Sequence, residues 1–284
     1  MKRSLKIVLG VIAIVAITYN ITLYYVDYHM KQRINQKKSY HECHKIWSAR
    51  GIYANKEEQN SIKSFSKAMK VGYKGLEVDF YYDTFLDKFI VSHDKPTKDK
   101  QGELHYNLKN SKLLTLQELF ESLGENGYFW LDYKNLDRLN KEDTLKAIQR
   151  LEEITKIYHI KERIYLEGCN PFSLSLYENA GFKTLLSFHP LPEDSPFTSI
   201  SSNFFKMIYY FSNTTALAMQ YGKVDNPKYN KITERNLKGI PQFIFHVPTD
   251  KELIQNLIQK KDIKVLLIGK DQSVNFSYFD SCTN

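Results

Sequence analysis

Apolar positions change their period along this chain, and the changes mark its parts. Residues 7–26 are apolar on every side and carry no charge. A helix of roughly 20 such residues spans a bilayer core, so this stretch is expected to be a membrane anchor. Tyr19, Tyr24 and Tyr25 gather toward one end of it, as interfacial rings do. A cleaved signal peptide fits less well. The apolar run exceeds the usual ~7–15 residues and no small-x-small cleavage site follows. Residues 27–38 are polar and read as a tether or a helical extension.

From about Lys45, short β-rich runs alternate with amphipathic stretches. Strands are predicted at 45–48, 75–81, 128–133, 163–167, 183–188, 216–221, 242–247 and 264–268. Helices are predicted at 61–71, 115–123, 141–158, 173–180, 233–237 and 249–260. Ser61, Thr115 and Thr249 supply start signals for three of them. Such alternation predicts a (β/α)8 TIM-type barrel preceded by the N-terminal transmembrane helix. An open doubly wound sheet is the rival, but no Gly-rich phosphate turn follows the first strand. Residues 190–215 break the pattern with Pro190, Pro192 and Pro196. They are expected to form an irregular insertion or lid over one barrel end, with their aromatic cluster in the core rather than against lipid. The parts are then a basic flank at 1–6, the anchor at 7–26, a linker at 27–44 and the barrel at 45–284.

Charge sharpens this division. Of the 40 Lys and Arg, seven lie in residues 1–38, which leaves 33 for the rest; of the 32 acids one does, which leaves 31. The barrel is close to neutral, so the basic excess argues for anionic lipid headgroups beside the anchor and against nucleic acid. Three basic residues precede the anchor and four follow, so charge does not orient it. The barrel is expected outside the cytoplasm. Cys43, Cys169 and Cys282 are odd in number and widely spaced, which predicts neither a zinc site nor a disulfide framework; a single disulfide outside the cytoplasm is the less favoured alternative.

Glu77 and Asp79 lie two apart in a predicted strand, so both point to one side, with Leu76, Val78 and Phe80 on the other. Alone, the pair reads equally as two solvated carboxylates. In a barrel they face the lumen and repel unless protonated or bridged by a cation. All-oxygen ligation suits Mg²⁺ or Ca²⁺. Asp132 offers a third oxygen ligand, and Lys134 shares its face. Lys134 is either an ion-pair partner or a phosphate neutraliser. His93 offers an imidazole for proton transfer, although a lone His at a strand end is more often structural. Arg50, directly after the first strand, suits a two-pronged grip on phosphate.

In order and spacing these residues resemble the glycerophosphodiester phosphodiesterase family. That pattern runs His-Arg-Gly, Glu-Asn-Thr/Ser, Glu-x-Asp, His-Asp and Glu-x-Lys. The matches are Arg50-Gly51, Asn60-Ser61, Glu77-x-Asp79, His93-Asp94 and Asp132-x-Lys134, over roughly residues 46–135. Phe245-His-Val-Pro-Thr249 is a looser match to a Trp-Thr-Val-Asn segment on the seventh strand. The resemblance implies a metal held by Glu77, Asp79 and Asp132, phosphate held by Arg50 and Lys134, and proton transfer by His93. It also implies a small phosphodiester or lipid headgroup as ligand. Gln59, Asp132 and Phe245 depart from the pattern, and Ala49 departs most. It stands where the family has the first of two acid–base histidines, whose loss typically costs about 10²–10⁴-fold in rate. His44 lies five residues upstream and substitutes poorly; His189 and His246 follow predicted strands five and seven. Two functions fit. One is a membrane-anchored, metal-dependent phosphodiesterase acting on glycerophosphodiesters or lipid-derived phosphodiesters. The other is a catalytically impaired pseudoenzyme that binds a phosphate-bearing ligand or partner without cleaving it.

Overall fold

The structure, a computed structural model, describes residues 2–34, 39–100, 104–106, 113–125 and 127–269. The strands, in chain order, are β1 (Ile46–Ala49), β2 (Gly75–Asp83), β3 (Lys88–Val91), β4 (Thr97–Lys98), β5 (Leu104–His105), β6 (Tyr128–Tyr133), β7 (Ile164–Gly168), β8 (Lys183–Phe188), β9 (Ala216–Gln220), β10 (Gln242–Val247) and β11 (Ile263–Ile268). Eight of them, β1, β2 and β6 to β11, are parallel and follow one another around a closed barrel. Closure is made by β1, which pairs with β11 through Ile46↔Leu266 and with β2 through Ser48↔Leu76. β2 outruns the barrel and turns back into antiparallel β3 through Phe80↔Val91.

The helices are α1 (Lys2–Ile34), α2 (Ile62–Lys70), α3 (Leu116–Leu123), α4 (Lys141–Ile157), α5 (Pro171–Asn179), α6 (Thr198–Ser212), α7 (Lys231–Asn236) and α8 (Lys251–Ile258). Side-chain caps start α2 to α5, α7 and α8: Ser61, Thr115, Asn140, Asn170, Asn230 and Asp250 each accept from backbone N–H groups of the first turn. Such caps satisfy donors that a helix start leaves open.

Barrel strands are buried on both faces, and the apolar residues accordingly form two cores. One lies between the strands and the outer helices. The other fills the lumen with Trp47, Trp130, Tyr165, Leu185, Phe243 and neighbours. Trp47 stacks on Tyr128 and meets Tyr40, Tyr165 and Phe243 edge-on. Its indole lies over Gly75, where a Cβ would come within 2.0 Å of the ring. Glycine at 75 is the gap into which the ring fits.

Two expectations are corrected. Residues 190–215 are not an irregular lid: α6 occupies most of them and packs beside α1, α5 and α7. Its aromatic residues divide. Tyr209 is buried and Phe205 stacks on Phe188, while Phe204 and Phe211 stay exposed. The N-terminal helix runs to Ile34, so of the two readings of the polar stretch, tether or helical extension, most of it takes the second. Ser4–Met30 is long and apolar enough to cross a membrane. Beyond its exposed apolar part, α1 docks on α6. Val26 and Met30 are buried, Lys206 Nζ lies 2.7 Å from Asp27, and the Arg33 guanidinium covers the Tyr209 ring at 4.9 Å. Second, Cys43 is disulfide-bonded while Cys169 is free and exposed. Cys282 lies outside the described residues.

Candidate active site

Strand register assembles the site. Ala49 pairs with Glu77, Asp79 with Asp132, and Asp132 with Glu167. These positions lie toward the carboxyl ends of β1, β6 and β7 and along the long β2, where barrel loops gather. There a cavity of about 560 Å³ opens, lined by Ala49, Arg50, Glu77, Asp132, Lys134 and Glu167 among others.

The loop after β1 is tightly held. Arg50 has a left-handed backbone (φ 59°), and Gly51 follows at φ 81°. A Cβ on Gly51 would come within 2.5 Å of the Ser64 carbonyl carbon, so only glycine passes there. Ser64 Oγ donates to the Arg50 carbonyl, and so does the Asn60 backbone N–H. Arg50 is thereby aimed at the strand carboxylates.

Asp79 is fully buried and is the hub. Its Oδ2 accepts from Asn60 Nδ2 at 2.7 Å and lies 2.8 Å from Arg50 Nε; its Oδ1 lies 2.5 Å from Lys134 Nζ. Lys134 also contacts Asp132. Asn60 Oδ1 accepts in turn from the Asp79 backbone N–H, so one amide clamps both ends of the residue. The Asn60-Ser61 pair thus has two separable jobs: Asn60 fixes Asp79 and Ser61 caps α2. Burial drives Asp79 upward, but Lys134 and Arg50 together outweigh it and hold the carboxyl below its ordinary pKa. Glu77 goes the other way. Burial, and then the charge of Asp79, push it well above the carboxylate range. Asp132 is also raised, because burial exceeds the pull of Lys134.

These three carboxylates fit a hard divalent cation. One oxygen from each of Glu77, Asp79 and Asp132 can be chosen so that all lie within 4.8 Å of one another. Glu77 Oε2 is buried, has no hydrogen-bond partner and is no nearer than 3.8 Å to Arg50 Nε. An orphaned buried carboxylate oxygen is costly, and a cation would satisfy it. The donor set is all oxygen, as Mg²⁺ and Ca²⁺ require.

Five of the six residues singled out in the sequence come together here: Arg50, Glu77, Asp79, Asp132 and Lys134. The sixth does not join them. His93 follows β3 with an exposed side chain whose Nδ1 lies 3.4 Å from its neighbour Asp94, and it is absent from the described cavity lining.

Sequence reasoning missed Glu167. This residue is buried, and its carboxylate accepts from Trp130 Nε1 at 2.6 Å and Ser187 Oγ at 2.7 Å. Burial, with Asp132 nearby, pushes its pKa up to about 8. A glutamate in Leu-Glu-Gly at a strand end gives no sign of direction until the barrel closes. Gln220, at the end of β9, was missed for the same reason. His189 and His246 both reach the cavity, with Phe245 against each ring.

No protein-family model and no curated protein sequence matches the chain. Solved structures do. A glycerophosphodiester phosphodiesterase from Parabacteroides distasonis aligns at TM-score 0.55 and 15% identity, over 79% of this chain and 92% of that one. A second structure of this kind from the same organism aligns at 0.53 and 13%, over 89% and 92%. A glycerophosphodiester phosphodiesterase from Agrobacterium tumefaciens aligns at 0.52 and 10%, over 84% and 99%. Identity this low speaks to the backbone and not to the chemistry. The chain has the fold of the glycerophosphodiester phosphodiesterases.

Proposed function

We propose that this chain is a membrane-anchored, metal-dependent phosphodiesterase that hydrolyses glycerophosphodiesters or lipid-derived phosphodiesters. One observation carries the reading: three carboxylates able to share a cation stand in contact with two cationic side chains at one barrel cavity. Glu77, Asp79 and Asp132 would hold Mg²⁺ or Ca²⁺. A bound divalent cation would polarise the phosphoryl oxygen and an attacking water. Arg50 engages Asp79 through Nε, which leaves its terminal nitrogens for two phosphate oxygens. Lys134 sits between Asp79 and Asp132 and neutralises the same phosphate.

Ala49 favours a second reading, a pseudoenzyme that binds the phosphate group and does not cleave it. One assay separates the two. The full chain in detergent micelles is given sn-glycero-3-phosphocholine with Mg²⁺, with Ca²⁺ and with chelator. Metal-dependent release of the alcohol is expected. Binding of the diester without release in either metal would favour the pseudoenzyme.

The membrane part of the proposal rests on Ser4–Met30. The Cys43 disulfide supports an oxidising compartment for the barrel. Cys169 gives the test, since it is free, exposed and lines the cavity. In intact cells expressing the chain, a membrane-impermeant maleimide is expected to label Cys169, and a Cys169→Ser variant to stay unlabelled. Labelling of Cys169 only after the cells are opened would put the barrel inside.

A further inference from the structure

The cavity that contains Ala49 also contains two imidazoles, and they are not independent. His189 follows β8 and His246 lies near the end of β10; each ring is partly exposed to solvent and partly sunk in the cavity wall. Gln220 stands between them. Its Oε1 lies 3.3 Å from His189 Nδ1, and its Nε2 lies 3.2 Å from His246 Nδ1. A third neighbour decides which end of this amide is the oxygen. Lys228 Nζ lies 2.8 Å from Oε1, and an ammonium group only donates. Oε1 therefore accepts, and Nε2–H faces His246.

The tautomers follow from that orientation. His246 Nδ1 offers a lone pair to the amide, so its proton sits on Nε2. His189 Nδ1 carries a proton toward Oε1, so its Nε2 is the atom that gains or loses one. A second proton on His246 would break its bond to Gln220. Burial opposes that proton too, as do the charges of Arg50, His189, Lys134 and Lys228, and the ring is held below the ordinary imidazole pKa. An imidazole kept neutral in this way donates a hydrogen bond to a polarised oxygen without surrendering its proton. His189 has no such restriction, because its bond to Gln220 survives in both protonation states. The titratable and charged groups sharing the cavity or its Gln220 network with the pair are Arg50, Lys134, Arg138 and Lys228 against Glu77, Asp132, Asp137 and Glu167.

We infer that His189 is the proton-transfer group of this site and His246 a neutral hydrogen-bond donor to the phosphoryl oxygen, with Gln220 positioning both. The pair takes over the role left open at Ala49. This rests on the hydrolytic reading above. In the reaction, His189 Nε2 takes a proton from water as the water oxygen bonds to phosphorus. The P–O bond to the alcohol breaks, and the same proton passes to the departing oxygen. One water is consumed, a phosphomonoester and an alcohol form, and His189 is neutral again.

The test uses the full chain in detergent micelles with two diesters, sn-glycero-3-phosphocholine and bis(p-nitrophenyl) phosphate. The alkoxide leaving group of the first needs the returned proton, whereas a nitrophenolate does not. His189→Ala is expected to lower kcat on the first diester by about 10²–10⁴-fold. The loss on the second should be at least tenfold smaller, and the fall of activity toward acid pH should disappear. His246→Ala is expected to lower kcat by about 10²-fold on both diesters, the scale of losing one donor to a developing oxyanion, and to keep that acid-side fall. Gln220→Leu should shift the acid-side fall along the pH axis while the thermal midpoint stays put. Wild-type kcat with an unchanged pH profile in His189→Ala overturns this inference alone. A wild-type chain that cleaves neither diester in Mg²⁺ or Ca²⁺ overturns the hydrolytic reading and takes the inference with it.

Discussion

Asp79→Asn is expected to abolish divalent-metal-dependent turnover in a protein that still folds. The substitution keeps the shape and removes the one negative charge that Arg50, Lys134 and Asn60 all address. Losing an electrostatic support of this kind costs about 10²–10³-fold in kcat, before any loss of metal is counted. The amide also brings two N–H donors into a site already crowded with donors, so Arg50 and Lys134 lose their common anchor. Leaving buried cations without a partner costs about 3–5 kcal/mol. Both cations are partly exposed here, so the stability loss should fall short of that range. The measurement is turnover against Mg²⁺ and Ca²⁺ concentration, with circular dichroism to check the fold. Turnover equal to wild type at every metal concentration would sink the assignment of Asp79 as a ligand.

The second large effect concerns the barrel floor. Trp47→Ala is expected to destabilise the chain by about 3–5 kcal/mol, the usual scale for emptying a core aromatic site. At about 2–4 °C per kcal/mol for a domain of this size, the midpoint should fall by roughly 6–20 °C. Four rings contact this indole, and none can swing into its place without opening another gap. Gly75 supplies an internal control. Gly75→Ala drives a methyl into Trp47 and should cost about 1–3 kcal/mol by overpacking. In the Trp47→Ala background that clash is gone, so the double variant should be more stable than the sum of the single losses implies. Additive losses in thermal unfolding would mean that the two positions do not share one space.

How much of this could be read from the chain itself depends on how local each signal is. β6, β8 and β10 end where the apolar runs end, at 128–133, 183–188 and 242–247, because a strand buried on both faces writes its own length. α6 was hidden. Three prolines precede it, and its Ser and Thr residues imitate a loop. Its buried positions answer to distant partners: Ser202 Oγ accepts from Asn236 Nδ2, and Lys206 pairs with Asp27 far along the chain. The same division holds in the site. Glu77 and Asp79 were legible as a pair because strand geometry puts alternate residues on one side. Glu167 and Gln220 were not, because a single acid or amide at a strand end acquires a direction only when the sheet closes. His93 shows the converse, since a motif match in sequence order does not by itself carry a side chain to the cavity.

The seating of α1 on α6 has a consequence for scale. With α1 in a bilayer, the barrel is not a float on a long leash. The helix leaving the membrane is already fastened to the barrel wall through Val26, Asp27, Met30 and Arg33. The exposed rings Phe204 and Phe211 on α6, and Phe172 on α5, border the same groove as Ile14, Val15 and Tyr19 of the apolar helix. The mouth of the cavity would then keep a fixed height and bearing relative to the lipid surface. A diesterase held in this way would work as a two-dimensional reagent. Its output would follow the number of copies per unit of membrane area, and a diester diffusing within the leaflet would meet it by lateral search rather than from bulk solution.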